Sequence, residues 1–382
     1  MKLLLNVFLI SLLLYVQESK SQTIDTLVNV GNHSLHFRIT KGQGMPILFE
    51  SGAGDDGSRW DTLIKPISEI IGATLITYDR AGCGKSTIDT LPADSMKHGI
   101  LDEFADLENA LKKLGYDKQI MLVSHSYGGY YSTLYSVKHP DLVKSIVLID
   151  VNLNFYDKLT KKDTIEGEEA AKESKASHDW WQYYTAVNFP KTSKLMSTMT
   201  IPQSIPVVLF TSGVPPQDDT ADMERWRECH KKFVANRHKS IEITAHGCGH
   251  YIWGDNPGLI ICTVARSYAE TCDDDKKSKI DKRALDYAIN ASSTMVEADH
   301  SEYSLNNWGY MLLARGNYAK ALEMFKLLVT LYPSSWNAYD SYGDALLQSN
   351  QKGEAIKMYQ KSVELNPKNE NGKKVLAELL KK

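Results

Sequence analysis

A serine stands where an apolar run ends and a glycine-rich helix start follows, in the segment Met121–Gly129. Ser124 and Gly128, two residues before and two after Ser126, are small. Small neighbours let the backbone close a sharp strand-to-helix turn, which holds a hydroxyl in a strained and exposed position. The spacing predicts Ser126 as a nucleophile, and the alternative is an ordinary helix N-cap.

A hydroxyl nucleophile needs a base that accepts its proton. His250 follows the last predicted strand and comes after the serine in the chain, in the order that this chemistry uses on a parallel sheet. Gly249 frees the loop to turn the next side chain toward the sheet edge, whereas His246 lies nearer the strand end. We therefore favour His250 over His246 as the base.

Two places in the chain offer an acid that could orient the base. Asp150 ends a predicted strand, whereas Asp218 and Asp219 lie in a proline-containing loop after the next strand. We favour Asp150, because a strand end holds a carboxylate more rigidly than such a loop does. Asp219 or Asp218 remains the alternative acid.

The segment Ser51–Gly54 follows another predicted strand and suits charge stabilisation. The backbone N–H groups of Ala53 and Tyr127 would form an oxyanion hole. Residues 52–57 also spell G-x-G-x-x-G, but two carboxylates inside that loop would repel a pyrophosphate. The sequence therefore predicts an acyl-transfer site with no organic cofactor.

Predicted strands and helices, which would position these residues, alternate from Asp25 to about Cys272. The inner apolar runs are continuous, as expected for parallel strands buried on both faces. This alternation predicts an α/β fold with a mainly parallel sheet. The predicted strands are Thr26–Val30, Leu35–Ile39, Pro46–Glu50, Thr74–Asp79, Gln119–His125, Lys144–Asp150, Val207–Ser212 and Ser240–Ala245. The predicted helices are Trp60–Ile71, Asp102–Leu114, Gly128–His139, Asp222–Ala235 and Pro257–Ala269.

The alternation stops between Asp150 and Val207, which is too long a gap for an ordinary loop. We predict a cap inserted at about residues 151–205. Its aromatic cluster either lines a pocket or packs the cap onto the main domain. The cluster comprises Trp180, Trp181, Tyr183 and Tyr184.

A charged stretch at residues 273–279 reads as a solvated boundary, and a repeat follows it. Five features recur at a period of about 34 residues, the period of tetratricopeptide helix pairs. A degenerate helix over Arg283–Glu297 and a capping helix over Gly372–Lys381 would flank the repeats. The recurring pairs are Trp308-Gly309-Tyr310 with Tyr342-Gly343-Asp344, Leu312-Leu313 with Leu346-Leu347, Ala321 with Ala355, Phe325 with Tyr359 and Pro333 with Pro367.

Over about residues 25–272 the chain resembles the α/β-hydrolase superfamily, and its Asp79–Ser86 stretch is similar to the turn of esterase-like and proline-iminopeptidase-like members. The resemblance implies a Ser-His-acid triad and no metal. It departs from the family pattern at Ser51, at Ser124 and in lacking a G-x-x-D spacing after the Val207–Ser212 strand. The C-terminal part is similar to tetratricopeptide modules appended to exported bacterial hydrolases.

The chain has 382 residues, 42% of them hydrophobic and 24% charged, with a net charge of −3. These values disfavour disordered and polytopic membrane proteins, and the weak negative charge disfavours a nucleic-acid partner. There are five cysteines and no C-x-x-C pair, so neither a disulfide scaffold nor a zinc site is indicated. A disulfide among Cys229, Cys248, Cys262 and Cys272 would be allowed in an oxidising compartment.

Residues 1–21 read as a cleavable signal peptide, with Lys2 before the short apolar run Leu3–Val16. We therefore expect a signal peptide at 1–21, a hydrolase domain at 22–275 and a tetratricopeptide module at 276–382. The expected function is a secreted or periplasmic serine hydrolase that cleaves a small ester or, second, an amide in the manner of an aminopeptidase. The repeats would bind a protein partner or cover an apolar patch. The alternative is an inactive hydrolase-fold protein that acts through its repeats.

Overall fold

A computed structural model describes residues 22–89, 98–153, 159, 161–213, 220–235, 237–294, 302–314, 316 and 318–381. The expected signal peptide lies outside this range. An α/β domain comes first, and helices alone follow it. This arrangement confirms the predicted fold class.

The α/β domain is built on one eight-stranded sheet with the order β1-β2-β4-β3-β5-β6-β7-β8. The pairs β1–β2 and β2–β4 are antiparallel, and the pairs from β4–β3 through β7–β8 are parallel. Every residue of β3, β4 and β5 is buried, which explains their continuous apolar runs. The strands are β1 Thr23–Asn29, β2 Ser34–Thr40, β3 Ile47–Glu50, β4 Leu75–Asp79, β5 Ile120–His125, β6 Val143–Ile149, β7 Val207–Ser212 and β8 Ser240–Ala245.

Helices cover both faces of the sheet and give it two apolar cores. One core includes Phe104 and Leu107, and the other includes Trp60 and Ile260. A short 3₁₀ helix, Gly57–Trp60, precedes the first α-helix. The helices of this domain are α1 Asp61–Ile71, α2 Ile100–Leu114, α3 Gly128–Lys138, α4 Lys161–Ser177, α5 Trp180–Met196, α6 Thr220–Ala235, α7 Ile252–Asp255 and α8 Pro257–Ala269.

The segment that was predicted to form a cap, at about residues 151–205, contains α4 and α5. The two helices pack against each other, and α5 also contacts α2. Trp181 and Tyr184 of α5 are each 3% exposed. The cap therefore packs on the main domain, with these two aromatic side chains turned inward.

The charged stretch 273–279 differs from the expected solvated boundary, because residues 274–279 begin a helix, α9 Asp274–Thr294. Asp273 caps it by accepting a hydrogen bond from the Lys276 N–H at 2.9 Å. Ile280 and Ala284, one turn apart, bury against the core that holds α1 and α8. The charges face solvent while these apolar residues anchor the helix, so the expected division between residues 275 and 276 falls within α9.

The repeat module contains two helix pairs with the same internal contact. A Cβ added to Gly309 would overlap the Phe325 ring, and one added to Gly343 would lie 2.9 Å from the Tyr359 ring. The glycine therefore lets the two helices of each pair approach closely, as the 34-residue period predicts. The helices are α10 Glu302–Ala314, α11 Tyr318–Leu331, α12 Trp336–Gln348, α13 Lys352–Leu365 and the terminal α14 Glu370–Leu380.

The repeats pack on the hydrolase domain through α8. Trp308 of α10 is 6% exposed and shares a core with Cys262. The Arg266 guanidinium lies 5.2 Å from the centre of the Trp308 ring and 3.6 Å from Asp281. All five cysteines lie among the described residues, and none of them forms a disulfide. No helix among the described residues is long and apolar enough to cross a membrane.

Candidate active site

Ser126 occupies a strained turn between β5 and α3. Its φ angle is +50°, a left-handed backbone conformation that residues other than glycine rarely adopt. Its N–H donates to the Ile149 carbonyl at 3.2 Å, and its own carbonyl accepts from the Asn152 N–H at 3.0 Å. A Cβ added to Gly128 would lie 2.5 Å from the Glu50 carbonyl oxygen, so the turn needs glycine there.

His250 and Asp150 meet across this sheet edge. His250 Nδ1 lies 2.7 Å from Asp150 Oδ2, and the other oxygen, Oδ1, accepts from the Ser212 N–H and from Trp226 Nε1, both at 3.0 Å. Asp150 is 2% exposed and has a φ angle of +46°. With Nδ1 donating to the carboxylate, Nε2 of His250 is left as a proton acceptor. His246, the competing histidine, is exposed.

The environment of Asp150 favours its charged form. Burial alone would raise the pKa of this carboxyl, but the hydrogen bonds from His250 and from the Ser212 N–H outweigh burial and lower the pKa to about 2. Asp150 is therefore a carboxylate at neutral pH. Asp218 and Asp219, the alternative acids, lie outside the described residues.

The loop after β3 contains the predicted oxyanion segment. The Ser51 hydroxyl accepts from Trp60 Nε1 and donates to the Asp56 carbonyl, both at 3.0 Å, and these bonds fix the loop to the start of α1. Gly52 is needed because a Cβ there would lie 2.9 Å from Nδ1 of His125. Ala53 is exposed in this loop, and Tyr127 is the N-cap residue of α3.

His125 is a member of the site that sequence reasoning missed. The side chain next to Ser126 is 1% exposed, and its Nε2 lies 3.1 Å from the His250 carbonyl oxygen. Its ring also lies 4.4 Å from the ring of His250 and 4.7 Å from that of Trp253. Burial and the neighbouring His250 lower its pKa to about 3. A neutral His125 imidazole therefore donates to the loop that holds His250. The available signal was a histidine closing a buried strand.

The Asp79–Ser86 turn supports the oxyanion loop from the next strand. Asp79 is 4% exposed, and its carboxylate accepts from the Gly57 N–H at 2.9 Å and from the Lys85 N–H at 2.8 Å. It also lies 2.9 Å from His36 Nδ1. One buried carboxylate thus ties together β2, β4 and the chain that follows the oxyanion loop.

The cap closes over the oxyanion loop through Trp181. A Cβ added to Gly54 would lie 3.5 Å from the Trp181 ring, and one added to Gly82 would lie 3.1 Å from its Cβ. Tyr184 packs on His98 with the ring centres 4.9 Å apart. These contacts favour packing of the cap as the role of the two buried aromatic residues. Trp180 and Tyr183 are only half-buried.

Comparison with known proteins agrees with this geometry. Residues 45–201 match the family model of the α/β hydrolase fold, and residues 312–379 match that of the tetratricopeptide repeat. An uncharacterized protein of Bacillus subtilis, YqjL, is 24% identical over 266 residues, which are 66% of this chain and 95% of that protein.

Two enzymes match over shorter stretches. A (lyso)-N-acylphosphatidylethanolamine lipase of Bos taurus is 35% identical over 106 residues, 28% of this chain and 30% of the lipase. A proline iminopeptidase of Lactobacillus delbrueckii subsp. bulgaricus is 31% identical over 106 residues, 27% of this chain and 35% of the peptidase. The chain thus spans about a third of each enzyme's length, and fold and relatives together support a hydrolytic enzyme. The chain therefore contains an α/β-hydrolase-fold domain, followed by a tetratricopeptide-repeat module.

Proposed function

We propose that this protein is a serine hydrolase that cleaves a small ester through an acyl-enzyme, with Ser126, His250 and Asp150 as its triad. The observation that carries the proposal is the strained Ser126, φ +50°, at the sheet edge where His250 Nδ1 lies 2.7 Å from the buried Asp150. The residue order nucleophile, acid, base along parallel strands also fits this chemistry.

Each step of the reaction has a group to perform it. Ser126 Oγ attacks the ester carbonyl while Nε2 of His250 takes the hydroxyl proton, and the tetrahedral oxyanion binds the N–H groups of Ala53 and Tyr127. His250 then returns the proton to the departing alcohol as the C–O bond breaks. Water attacks the acyl-enzyme by the same route in reverse and releases the acid. The carboxylate of Asp150 holds the tautomer that leaves Nε2 free.

One observation favours an ester over an aminopeptidase substrate. An aminopeptidase must bind the α-ammonium group of its substrate, and a carboxylate beside the site is the natural partner. Asp55 follows the oxyanion segment, but its carboxylate already accepts from Arg59 Nε at 2.6 Å and from the Tyr251 hydroxyl at 3.1 Å. An amide substrate, suggested by the iminopeptidase relative, is therefore the second candidate.

Labelling with a fluorophosphonate tests the nucleophile directly. The parent protein should react covalently, and Ser126→Ala should abolish the reaction because no other group is proposed to attack. Ser58→Ala, which changes an exposed serine near the same loop, is the matched control and should label like the parent. Labelling that persists in Ser126→Ala would contradict the assignment. Hydrolysis of p-nitrophenyl acetate against prolyl p-nitroanilide then separates esterase from aminopeptidase activity.

We also propose that residues 1–21 direct export and that the repeats contact a protein partner. N-terminal sequencing of protein recovered from the periplasm or medium should begin at Gln22. A chain that is found there with Met1 intact, or is found only in the cytoplasm, would contradict export. An inactive scaffold is the rival reading, and turnover of a chromogenic ester that disappears in Ser126→Ala would exclude it.

A further inference from the structure

Arg80 is a buried cation directly behind the oxyanion loop. It follows β4 and is 3% exposed. Its guanidinium donates from Nη1 to the Ser51 carbonyl at 3.0 Å and from Nη2 to the Gly52 carbonyl. One side chain therefore holds two successive peptide groups of the loop. A planar fork of this kind fixes the direction of both carbonyls, which a point charge cannot do.

The second of these peptides contains the proposed oxyanion donor. The Gly52 carbonyl and the Ala53 N–H belong to the same peptide plane. The described residues contain no cis peptide bond, so this C=O and this N–H point in opposite directions. A guanidinium that fixes the Gly52 carbonyl therefore fixes the direction of the Ala53 N–H as well. A cation on the carbonyl also polarises the peptide and strengthens the N–H as a donor.

The surroundings of Arg80 keep it charged and immobile. Its Nη1 lies 3.8 Å from Glu50 Oε2, and Glu50 is 1% exposed. The rings of Tyr131 and Tyr127 lie 5.0 and 5.9 Å from the guanidinium carbon. Burial by itself opposes the charge, but the groups around it raise the pKa of Arg80 above its ordinary value. The side chain thus donates its hydrogen bonds to the two loop carbonyls, although the carboxyl group of Glu50 lies nearby.

We propose that Arg80 is a positioning residue for the oxyanion hole, which aims and polarises the Ala53 N–H through the Gly52 carbonyl. This inference rests on the proposed acyl-enzyme function. It assigns to the Asp79–Ser86 turn a role in stabilising the transition state, transmitted through one peptide bond. Arg80 does not touch the substrate in this proposal.

The test compares two variants. Arg80→Lys keeps the buried positive charge but loses the planar pair of donors, and Arg80→Gln keeps an N–H donor but loses the charge. Loss of one oxyanion donor typically lowers kcat by about 10²–10³-fold, so we expect a decrease of up to that size at nearly unchanged KM. Affinity for a trifluoromethyl ketone, which forms a tetrahedral adduct on serine, should fall in parallel. Binding of the matched methyl ketone should change little.

Arg237 provides a matched control at a distance from the site. It is 6% exposed and donates to the carbonyls of Ile201, Pro202 and Ile205. Arg237→Lys removes a similar fork, so it should lower the melting temperature without a selective loss of trifluoromethyl ketone affinity. A folded Arg80→Lys or Arg80→Gln that keeps the parent's kcat and analogue affinity would overturn the inference.

The same experiment separates this inference from the proposed function. If fluorophosphonate fails to label the parent protein, the serine-hydrolase proposal fails first. If the parent is labelled and both folded Arg80 variants discriminate between the two ketones as the parent does, only the role of Arg80 fails. If Arg80→Lys does not fold, the result with Arg80→Gln decides the case.

Discussion

The hydrolase domain and the repeat module bury polar groups in different ways. In the repeats, helices approach closely where a glycine faces an aromatic ring, as Gly309 faces Phe325. The buried Asp340 there accepts a hydrogen bond from Nδ2 of Asn369, the N-cap residue of α14, at 2.7 Å. In the hydrolase domain, buried charged groups gather at the carboxyl ends of β3, β4 and β6. Asp150 and Arg80 there reach out to loops rather than to the core.

Backbone strain follows the same division. Five described residues other than glycine have positive φ angles, and two of them are Ser126 and Asp150, side by side at the candidate site. The repeat module contributes one, Asn350, at a helix end. Strain costs about 1–3 kcal/mol per residue and persists where surrounding structure enforces it. The comparison teaches that stability in the repeats comes from packing, whereas the sheet edge gives up some stability to fix a geometry.

The largest effect is expected on kcat, from a substitution of Asp150 at the strained sheet edge. Asp150→Asn should lower kcat by about 10⁴-fold, because the amide favours the wrong tautomer of the base. The exposed Asp61→Asn, which loses only an ion pair with Arg38, should retain parent activity. Steady-state kinetics on a chromogenic ester, with a melting curve for each variant, measures both. Full activity in Asp150→Asn and a loss in Asp219→Asn would transfer the role of acid.

The next effect concerns the repeats and is thermodynamic. Trp308→Ala should lower the free energy of unfolding by about 3–5 kcal/mol, the usual cost of removing a buried aromatic side chain. Trp336, 38% exposed, is the matched control, and Trp336→Ala should cost far less. Urea titration of both variants measures the difference, and kcat of the folded fraction should not change.

Truncation after Cys272 tests whether the C-terminal helices as a whole stabilise the hydrolase domain. It removes Ile280 and Ala284 from the hydrolase core and uncovers Cys262, so the shortened protein should aggregate or melt earlier. If it is equally stable and still binds every partner recovered with the full chain, neither packing nor partner binding can be the role of the module.

Much of this organisation was predictable, because its signals are local. Continuous apolar runs marked the buried strands, and Val207–Ser212 and Ser240–Ala245 were predicted to the residue. The helix across residues 274–279 was not predicted, because its charges mask the anchoring Ile280 and Ala284. The contacts of His125 and Arg80 could not be predicted either. They depend on loops that meet only when the sheet has formed, and a neutral His125 beside the His250 carbonyl has no signature in spacing.

A smaller effect is expected from that histidine contact. His125→Phe keeps a ring but removes the donor to the part-buried His250 carbonyl, at a cost of up to about 1–3 kcal/mol. If this free energy serves to position His250, kcat should decrease by about 10–100-fold. His125→Gln retains an N–H donor and should recover part of the rate. Equal kcat in the two variants would show that the hydrogen bond does not position His250.

The last effect concerns stability alone and tests, through pH, the buried carboxyl group of Glu103 in α2. Burial raises the pKa of Glu103 to about 7 even though the Tyr131 hydroxyl donates to it, so the folded state holds a proton that the unfolded chain releases above about 4.5. Stability from this group is fully present below pH 4.5 and is lost as pH rises through about 7. Relative to Glu103→Gln, the parent should lose at most about 1.4 kcal/mol per pH unit in that window. Urea titrations of both proteins from pH 4.5 to 7.5 measure the difference, which cancels the other titrating groups. A flat difference would mean that Glu103 stays charged beside Arg80.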